Sequence, residues 1–143
     1  MKAIMYGAGN IGRGFIGKRF SLSGWDVTFV DINEAVVNQL KKDGGYPVYV
    51  TRGNEYVKEW VGNCTGFNGR DVDGVVKLIA ECDILATALG VNVIKFVAPL
   101  IAKAVEKNCP DAWVINYTNP MAMLTGYMLR YTGIDTIGLC HSV

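Results

Sequence analysis

The chain has 143 residues, half of them hydrophobic, with 14 Lys and Arg against 13 Asp and Glu, one His and a net charge of +1. That length suits one domain with an adequate core, and the scattered charges exclude a basic nucleic-acid surface or a charged disordered tail. Apolar runs fall far short of the roughly 20 residues of a membrane span. No leader-like apolar segment opens the chain, so the expected location is cytoplasmic, with Cys64, Cys82, Cys109 and Cys140 kept as thiols rather than as a zinc or redox motif.

Ala3 to Tyr6 reads as an apolar strand that runs straight into Gly7-Ala8-Gly9-Asn10-Ile11-Gly12 and then into a helix. Ile11, Phe15, Ile16 and Phe20 form the apolar stripe of that helix, and Gly24 stops it. Trp25 to Val30 is the second strand, and Asp31 closes it nineteen residues beyond Gly12. A second helix begins near Asn33 and buries Val36, Val37 and Leu40 until Gly44-Gly45 breaks it. Tyr46 to Val50 is expected as the third strand, near an edge of the sheet. Thr51 to Gly69 mixes Val57, Trp60 and Val61 with Gly and Asn and suggests a small antiparallel excursion. Val72 to Ala80 is expected helical, and Asp83 to Ala88 a buried strand. From Val91 to Glu106, Ile94, Val97, Ile101 and Ala104 repeat at helical spacing. After Pro110, Ala112 to Tyr117 is a strand. Pro120 suits a first helical position. Met123, Leu124, Tyr127, Met128 and Tyr131 make the apolar face of the helix that follows, and Thr136 to Leu139 is the last strand.

Six parallel strands joined by helices make an α/β, doubly wound, mostly parallel six-stranded sheet of order 3-2-1-4-5-6, in one Rossmann-type domain spanning residues 1–143. Right-handed crossovers place ligands at the carboxyl ends of the strands. Gly7 to Gly12, Asp31, Ala88-Leu89-Gly90, Thr118-Asn119-Pro120 and Cys140-His141 all fall there.

The glycines carry a specific chemistry. Gly7 permits the tight strand-to-helix turn, Gly9 lets the backbone approach a pyrophosphate, and Gly12 lets the helix lie close on the strand. Free N–H groups around Asn10 and Ile11 then face the phosphates, helped by the helix dipole. Asp31 can accept from both adenosine ribose hydroxyls and would repel a 2′-phosphate. Ile32, Asn33 and Glu34 offer that phosphate no cation, which favours NAD over NADP. Asp31 could equally cap the next helix. Arg13 either approaches the pyrophosphate or is an exposed arginine early in a helix.

Two family resemblances divide the chain. Gly7-Ala8-Gly9-Asn10-Ile11-Gly12-Arg13-Gly14-Phe15-Ile16-Gly17, Phe29 to Asn33, Thr87-Ala88-Leu89-Gly90 and Phe96 to Ala102 make residues 1 to about 107 resemble the mannitol-1-phosphate 5-dehydrogenases and their polyol dehydrogenase relatives. That resemblance implies NAD at the first loop and Asp31, with backbone near Thr87 to Gly90 passing the cofactor. It also implies a sugar phosphate substrate, and a catalytic lysine in a C-terminal helical domain that this chain lacks. Cys109 to Met123, with Tyr117-Thr118-Asn119-Pro120 at its centre, and Ile137 to Val143 resemble instead the NAD- and manganese-dependent family 4 glycosidases, in particular the α-galactosidase branch. Polyol-phosphate dehydrogenases usually carry a Cys-Glu-Asn-Met type sequence at Tyr117 to Pro120, and Asn119 alone is common to both.

The changeover falls near 106–109, as in a hybrid of two dinucleotide-binding domains, natural or engineered. The second resemblance puts Asn119 beside the sugar and makes Cys140 a ligand of Mn²⁺; its other metal ligand and its tyrosine base lie beyond Val143. On the residues alone, Asn119 either contacts nicotinamide or sugar or caps the helix at Pro120. Cys140 is either an incomplete metal site or a buried neutral thiol. His141 touches ribose or substrate, or is solvated. The expected cofactor-binding residues are therefore Gly7, Gly9, Asn10, Ile11, Gly12, Asp31, Ala88, Gly90 and Asn119. No strongly placed general base is expected in the chain, and an uncovered last helix would favour self-association. Three readings follow: the coenzyme domain of a polyol-phosphate dehydrogenase, the cofactor-and-metal part of a family 4 glycosidase, or a hybrid scaffold that binds cofactor only.

Overall fold

The structure is a computed structural model that describes residues 1–53, 55–116 and 121–139. In chain order its elements are β1 (Lys2–Tyr6), a wide helical segment (Gly12–Gly17) continuing into α1 (Lys18–Leu22), β2 (Asp26–Asp31), α2 (Glu34–Asp43), β3 (Tyr46–Arg52), β4 (Glu55–Val61), β5 (Cys64–Asn68), α3 (Val72–Glu81), β6 (Ile84–Thr87), α4 (Val91–Asn108), β7 (Val114–Asn116), α5 (Met121–Tyr131) and β8 (Thr136–Gly138). They form two compact units, Met1–Ile94 and Lys95–Val143. Among the described residues no helix is long and apolar enough to cross a membrane.

The first unit is built on a four-stranded parallel sheet of order β5-β2-β1-β6. Its central strands are apolar on both faces because both are covered. Ala3, Met5, Val27 and Phe29 are buried in one cluster with Leu40, Tyr46, Val61 and Cys64. Ile4, Val30, Val75 and Ile79 are buried as well. The flanking helices start and stop where their polar residues dictate. The Asn33 side chain caps α2 by accepting from Val36 N at 3.3 Å, Gly44 ends it at φ 64°, and Asp71 caps α3 by accepting from Gly74 N at 3.0 Å.

The third parallel strand is not Tyr46 to Val50. That segment belongs to β3, which pairs antiparallel with β4 in a hairpin of its own, from Tyr46↔Val61 to Arg52↔Glu55. The excursion expected after Thr51 therefore begins five residues earlier, and β5 takes the place beside β2. Gly66 is what hides this strand in the sequence. A Cβ there would collide with the backbone of Val37, so α2 can lie on β5 only over a glycine. A second correction concerns β6, expected as buried. Among the described residues it is the last strand of the four-stranded sheet, and Ile84 is 38% exposed.

In the second unit β7 and β8 pair in parallel, Ile115 opposite Ile137. The mostly parallel α/β Rossmann-type architecture is as expected. The six parallel strands divide into a sheet of four, ordered 3-2-1-4, and a pair. Asn116 Nδ2 donates to Met121 O at 3.2 Å and Thr125 Oγ1 at 3.1 Å, and Gly138 lets Met121 and Thr125 close on β8. Of the expected apolar face of α5, Met128 is half-buried while Met123, Leu124, Tyr127 and Tyr131 are exposed, as for the uncovered last helix of the alternative expectation. Tyr117, Thr118, Asn119 and Pro120, and Cys140 and His141, lie outside the described residues.

Candidate functional site

The carboxyl ends of β1, β2 and β6 meet at the glycine loop. Gly7 has φ 103°, a conformation that glycine tolerates, and its N–H donates to Val30 O at 2.8 Å. A Cβ on Gly7 would collide with Ala88 O, while Ala88 N donates to Tyr6 O at 2.8 Å. Ala88 thus passes directly over the turn. Gly90, further along the same segment, opens α4 by accepting from Val93 N at 2.8 Å and Ile94 N at 3.1 Å.

Gly9 and Gly12 stand in opposite environments. A Cβ on Gly12 would collide with Gly7 O and lie 3.6 Å from Met5 Cγ, so the helix rests on the strand here. A Cβ on Gly9 would have no heavy atom within 4 Å. Nothing in the fold requires a glycine at that position, so the free space is available to a ligand. Arg13 N donates to Gly9 O at 2.9 Å, which opens the helical hydrogen bonding. The amides of Asn10, Ile11 and Gly12 precede that bond, and first-turn amides have no partner within a helix. Arg13 itself is not the exposed arginine of the simpler reading. It is partly buried, and its Nε is buried without a hydrogen-bond partner.

Asp31 does more than end a strand. Its Oδ2 accepts from Ala8 N at 2.7 Å and its Oδ1 from Asn33 N at 2.9 Å, so one carboxylate ties the glycine loop to the start of α2. The cap of α2 is Asn33, not Asp31. An ionised carboxylate offers about four lone-pair sites, so two backbone bonds leave capacity for ribose hydroxyls. Gly69 N also donates to Asp31 O at 2.9 Å, which brings the turn after β5 to this corner. Sequence reading missed that turn because β5 itself was hidden. Burial, reinforced by the charge of Asp31, raises the Tyr6 phenol above its ordinary value, so Tyr6 stays neutral under the site.

The expected apolar stripe of the first helix is corrected here. Ile16 and Phe20 pack against the core, but Ile11 is 67% and Phe15 63% exposed. The cause is the wide i→i+5 geometry of Gly12–Gly17. Both end glycines face the sheet: Gly12 abuts Gly7, and a Cβ on Gly17 would strike the Phe29 ring. Five residues of an ideal α-helix turn through about 140° beyond a full revolution, which would keep the two apart. A wider turn brings both to one side and swings Ile11 and Phe15 outward. Among the described residues no three of His, Cys, Asp or Glu gather as they would around a metal ion.

Residues 1–115 match the mannitol dehydrogenase Rossmann domain family. The chain belongs to that family. It is 42% identical over 108 residues to mannitol-1-phosphate 5-dehydrogenase of Geobacillus thermodenitrificans, a match covering 75% of this chain and 28% of the relative. It is 41% identical over 113 residues to the enzyme of that name from Aureobasidium melanogenum, covering 78% and 29%. The chain therefore spans under a third of the length of these relatives. Among solved structures, the lactate dehydrogenase of Cryptosporidium parvum in complex with lactic acid and nicotinamide adenine dinucleotide superposes with a TM-score of 0.56 at 18% identity, covering 94% of this chain and 42% of that one. At that identity the likeness is one of fold. Family membership and fold both agree with the parallel sheet and glycine turn of the first unit.

Proposed function

We propose that this chain is the NAD-binding part of a mannitol-1-phosphate dehydrogenase-type oxidoreductase of the cytoplasm, with the pyrophosphate on the amides of Gly9 to Gly12 and the adenosine ribose on Asp31. The observation that carries the reading is the contrast between Gly9, whose Cβ direction is empty, and Gly7 and Gly12, which the fold itself requires. Ala88 and Gly90 line the passage of the cofactor from the β6 side. Bound NAD supplies hydride transfer, and the chain's part is to bind and orient it. Calorimetric titration tests this: NADH should bind more tightly than NADPH, and Asp31→Ala should narrow the difference. Equal affinity for both coenzymes in the unsubstituted chain would refute the role of Asp31.

We infer separately that the segment after about residue 107 descends from the NAD- and manganese-dependent family 4 glycosidases. The support for this is the sequence Tyr117-Thr118-Asn119-Pro120 and the run Ile137 to Val143; the mannitol dehydrogenase match itself extends past 107, to residue 115. On this reading Asn119 neighbours the sugar and Cys140 supplies one thiolate to Mn²⁺, an ion that needs several donors to offset its dehydration. Paramagnetic resonance of added Mn²⁺ should then report weak binding at most, since one thiolate does not offset the ion's dehydration; tight binding that Cys140→Ser leaves unchanged would remove Cys140 from the account.

A further inference from the structure

The glycine loop leads into a helical stretch wider than an α-helix, and one neighbouring element holds that stretch. Within that stretch, Arg13 O accepts from Tyr46 Oη at 2.7 Å, and in α1, which continues it, Lys18 Nζ pairs with Glu59 Oε2 at 2.6 Å and Ser21 Oγ donates to Gly62 O at 2.7 Å. Tyr46 and Glu59 belong to the β3–β4 hairpin, and Gly62 directly follows it. The hairpin is well anchored. Its seven paired positions run without a bulge, and Tyr46 and Val61 are buried at its base.

Tyr46 closes a circuit. Its ring meets Phe29 edge-on, with centroids 5.5 Å apart, and Phe29 is the ring on which Gly17 rests. Its hydroxyl reaches Arg13 near the other end of the wide segment. One side chain thus secures both ends of the i→i+5 turn. Burial drives its phenol far above the ordinary value, so it remains a donor at any working pH.

Wide turns are rare and unfavourable by themselves, and they recur where a function needs them. Released, the segment would tighten towards i→i+4 bonding. Removing one residue from a turn rotates the chain before it by about 100°. The chain before it is Asn10 and Ile11, whose amides, with that of Gly12, lead the helix. Gly12 and Gly17 could then no longer both lie against the sheet.

We propose that the β3–β4 hairpin sets how tightly the glycine loop holds a dinucleotide, with Tyr46 as the positioning residue that acts through the Arg13 carbonyl and the Phe29 ring. The proposal rests on the dinucleotide-binding reading above, but the hold on the wide segment can be measured without ligand. Tyr46→Phe removes the hydroxyl and keeps the ring. In the full chain without ligand, backbone amides of residues 12–18 should exchange with solvent about fivefold faster in this variant, while those of β1 keep their rate. NADH affinity should weaken about fivefold, the range commanded by one hydrogen bond. Glu59→Gln should act in the same direction, and serves if Tyr46→Phe fails to fold by circular dichroism. Tyr49→Phe, on the exposed face of the same hairpin, should change neither readout.

Unchanged exchange at residues 12–18 would overturn the proposal, and so would faster exchange with NADH affinity intact. If the unsubstituted chain binds no NADH, the dinucleotide reading falls and takes the affinity claim with it. The exchange rates still decide whether the hairpin holds the segment.

Discussion

Substituting Gly9 and Gly12 one at a time separates what the fold needs from what a coenzyme needs. In Gly12→Ala the new methyl meets the Gly7 carbonyl oxygen, a backbone atom that cannot swing aside. Overpacking of this kind costs about 1–3 kcal/mol. At about 4 °C per kcal/mol for a domain of this size, the melting temperature should fall by roughly 4–12 °C. In Gly9→Ala the methyl meets no heavy atom within 4 Å, and φ there lies outside the left-handed region, so stability should hold or rise slightly. The same methyl would stand where a pyrophosphate must approach. The same 1–3 kcal/mol, now imposed on binding, weakens NADH affinity by about 5- to 150-fold. Differential scanning fluorimetry and calorimetric titration of NADH measure the two quantities on the same samples. Gly9→Ala binding NADH like the unsubstituted chain, or Gly12→Ala melting at an unchanged temperature, would refute the reasoning.

Three further outcomes follow from particular residues. Asp31→Asn should be more damaging than its shape suggests. The amide has one oxygen for two backbone donors, Ala8 N and Asn33 N, so one donor faces an NH₂ group; NADH affinity should drop about tenfold or more, measured by calorimetry. Burial pushes the Cys64 thiol up to about 11, and only the thiolate is nucleophilic, so iodoacetamide at mildly alkaline pH should leave Cys64 unmodified in the folded chain and label it after denaturation, as read by mass spectrometry. Glu59 is held below its ordinary carboxylate value of 4.5, chiefly by the hydrogen bond from Lys18. A carboxyl lowered in the folded state stabilises it above the unfolded value, and that contribution disappears as pH falls through the folded value. Thermal melts of Glu59→Gln should therefore lose less stability than the parent on acidification below about pH 4.5; parallel acid limbs would contradict this.

The parts of the fold that were legible in the sequence are those whose signal is local. The strand, glycine turn, helix start and Asp31 announce themselves within some thirty residues, because Gly7 and Gly12 answer close backbone contacts and Gly9 keeps the loop open. Asn33 and Gly44 marked the ends of α2 for the same reason. Tyr46 to Val50 was ambiguous, since alternation reads the same in a hairpin as in an edge strand, and only the partner distinguishes them. The true third strand, Cys64-Thr65-Gly66-Phe67-Asn68, looks like a loop because its glycine makes room for Val37. The exposure of Ile11 and Phe15 was illegible for another reason. A stripe counted at 3.6 residues per turn slips out of register across a five-residue turn, and the contacts that hold the turn come from residues more than thirty positions away.

The claim on which the account rests is that a dinucleotide lies against the amides between Gly9 and Gly12 and is gripped by Asp31. Nuclear magnetic resonance of the ¹⁵N-labelled chain, titrated with NADH, observes those amides individually. Saturable shifts should appear at Gly9, Asn10, Ile11 and Gly12 and around Asp31 to Asn33, while the exposed hairpin face at Tyr49 and Lys58 stays still. A saturating titration that leaves those loop amides unmoved, or moves only residues elsewhere, would contradict it.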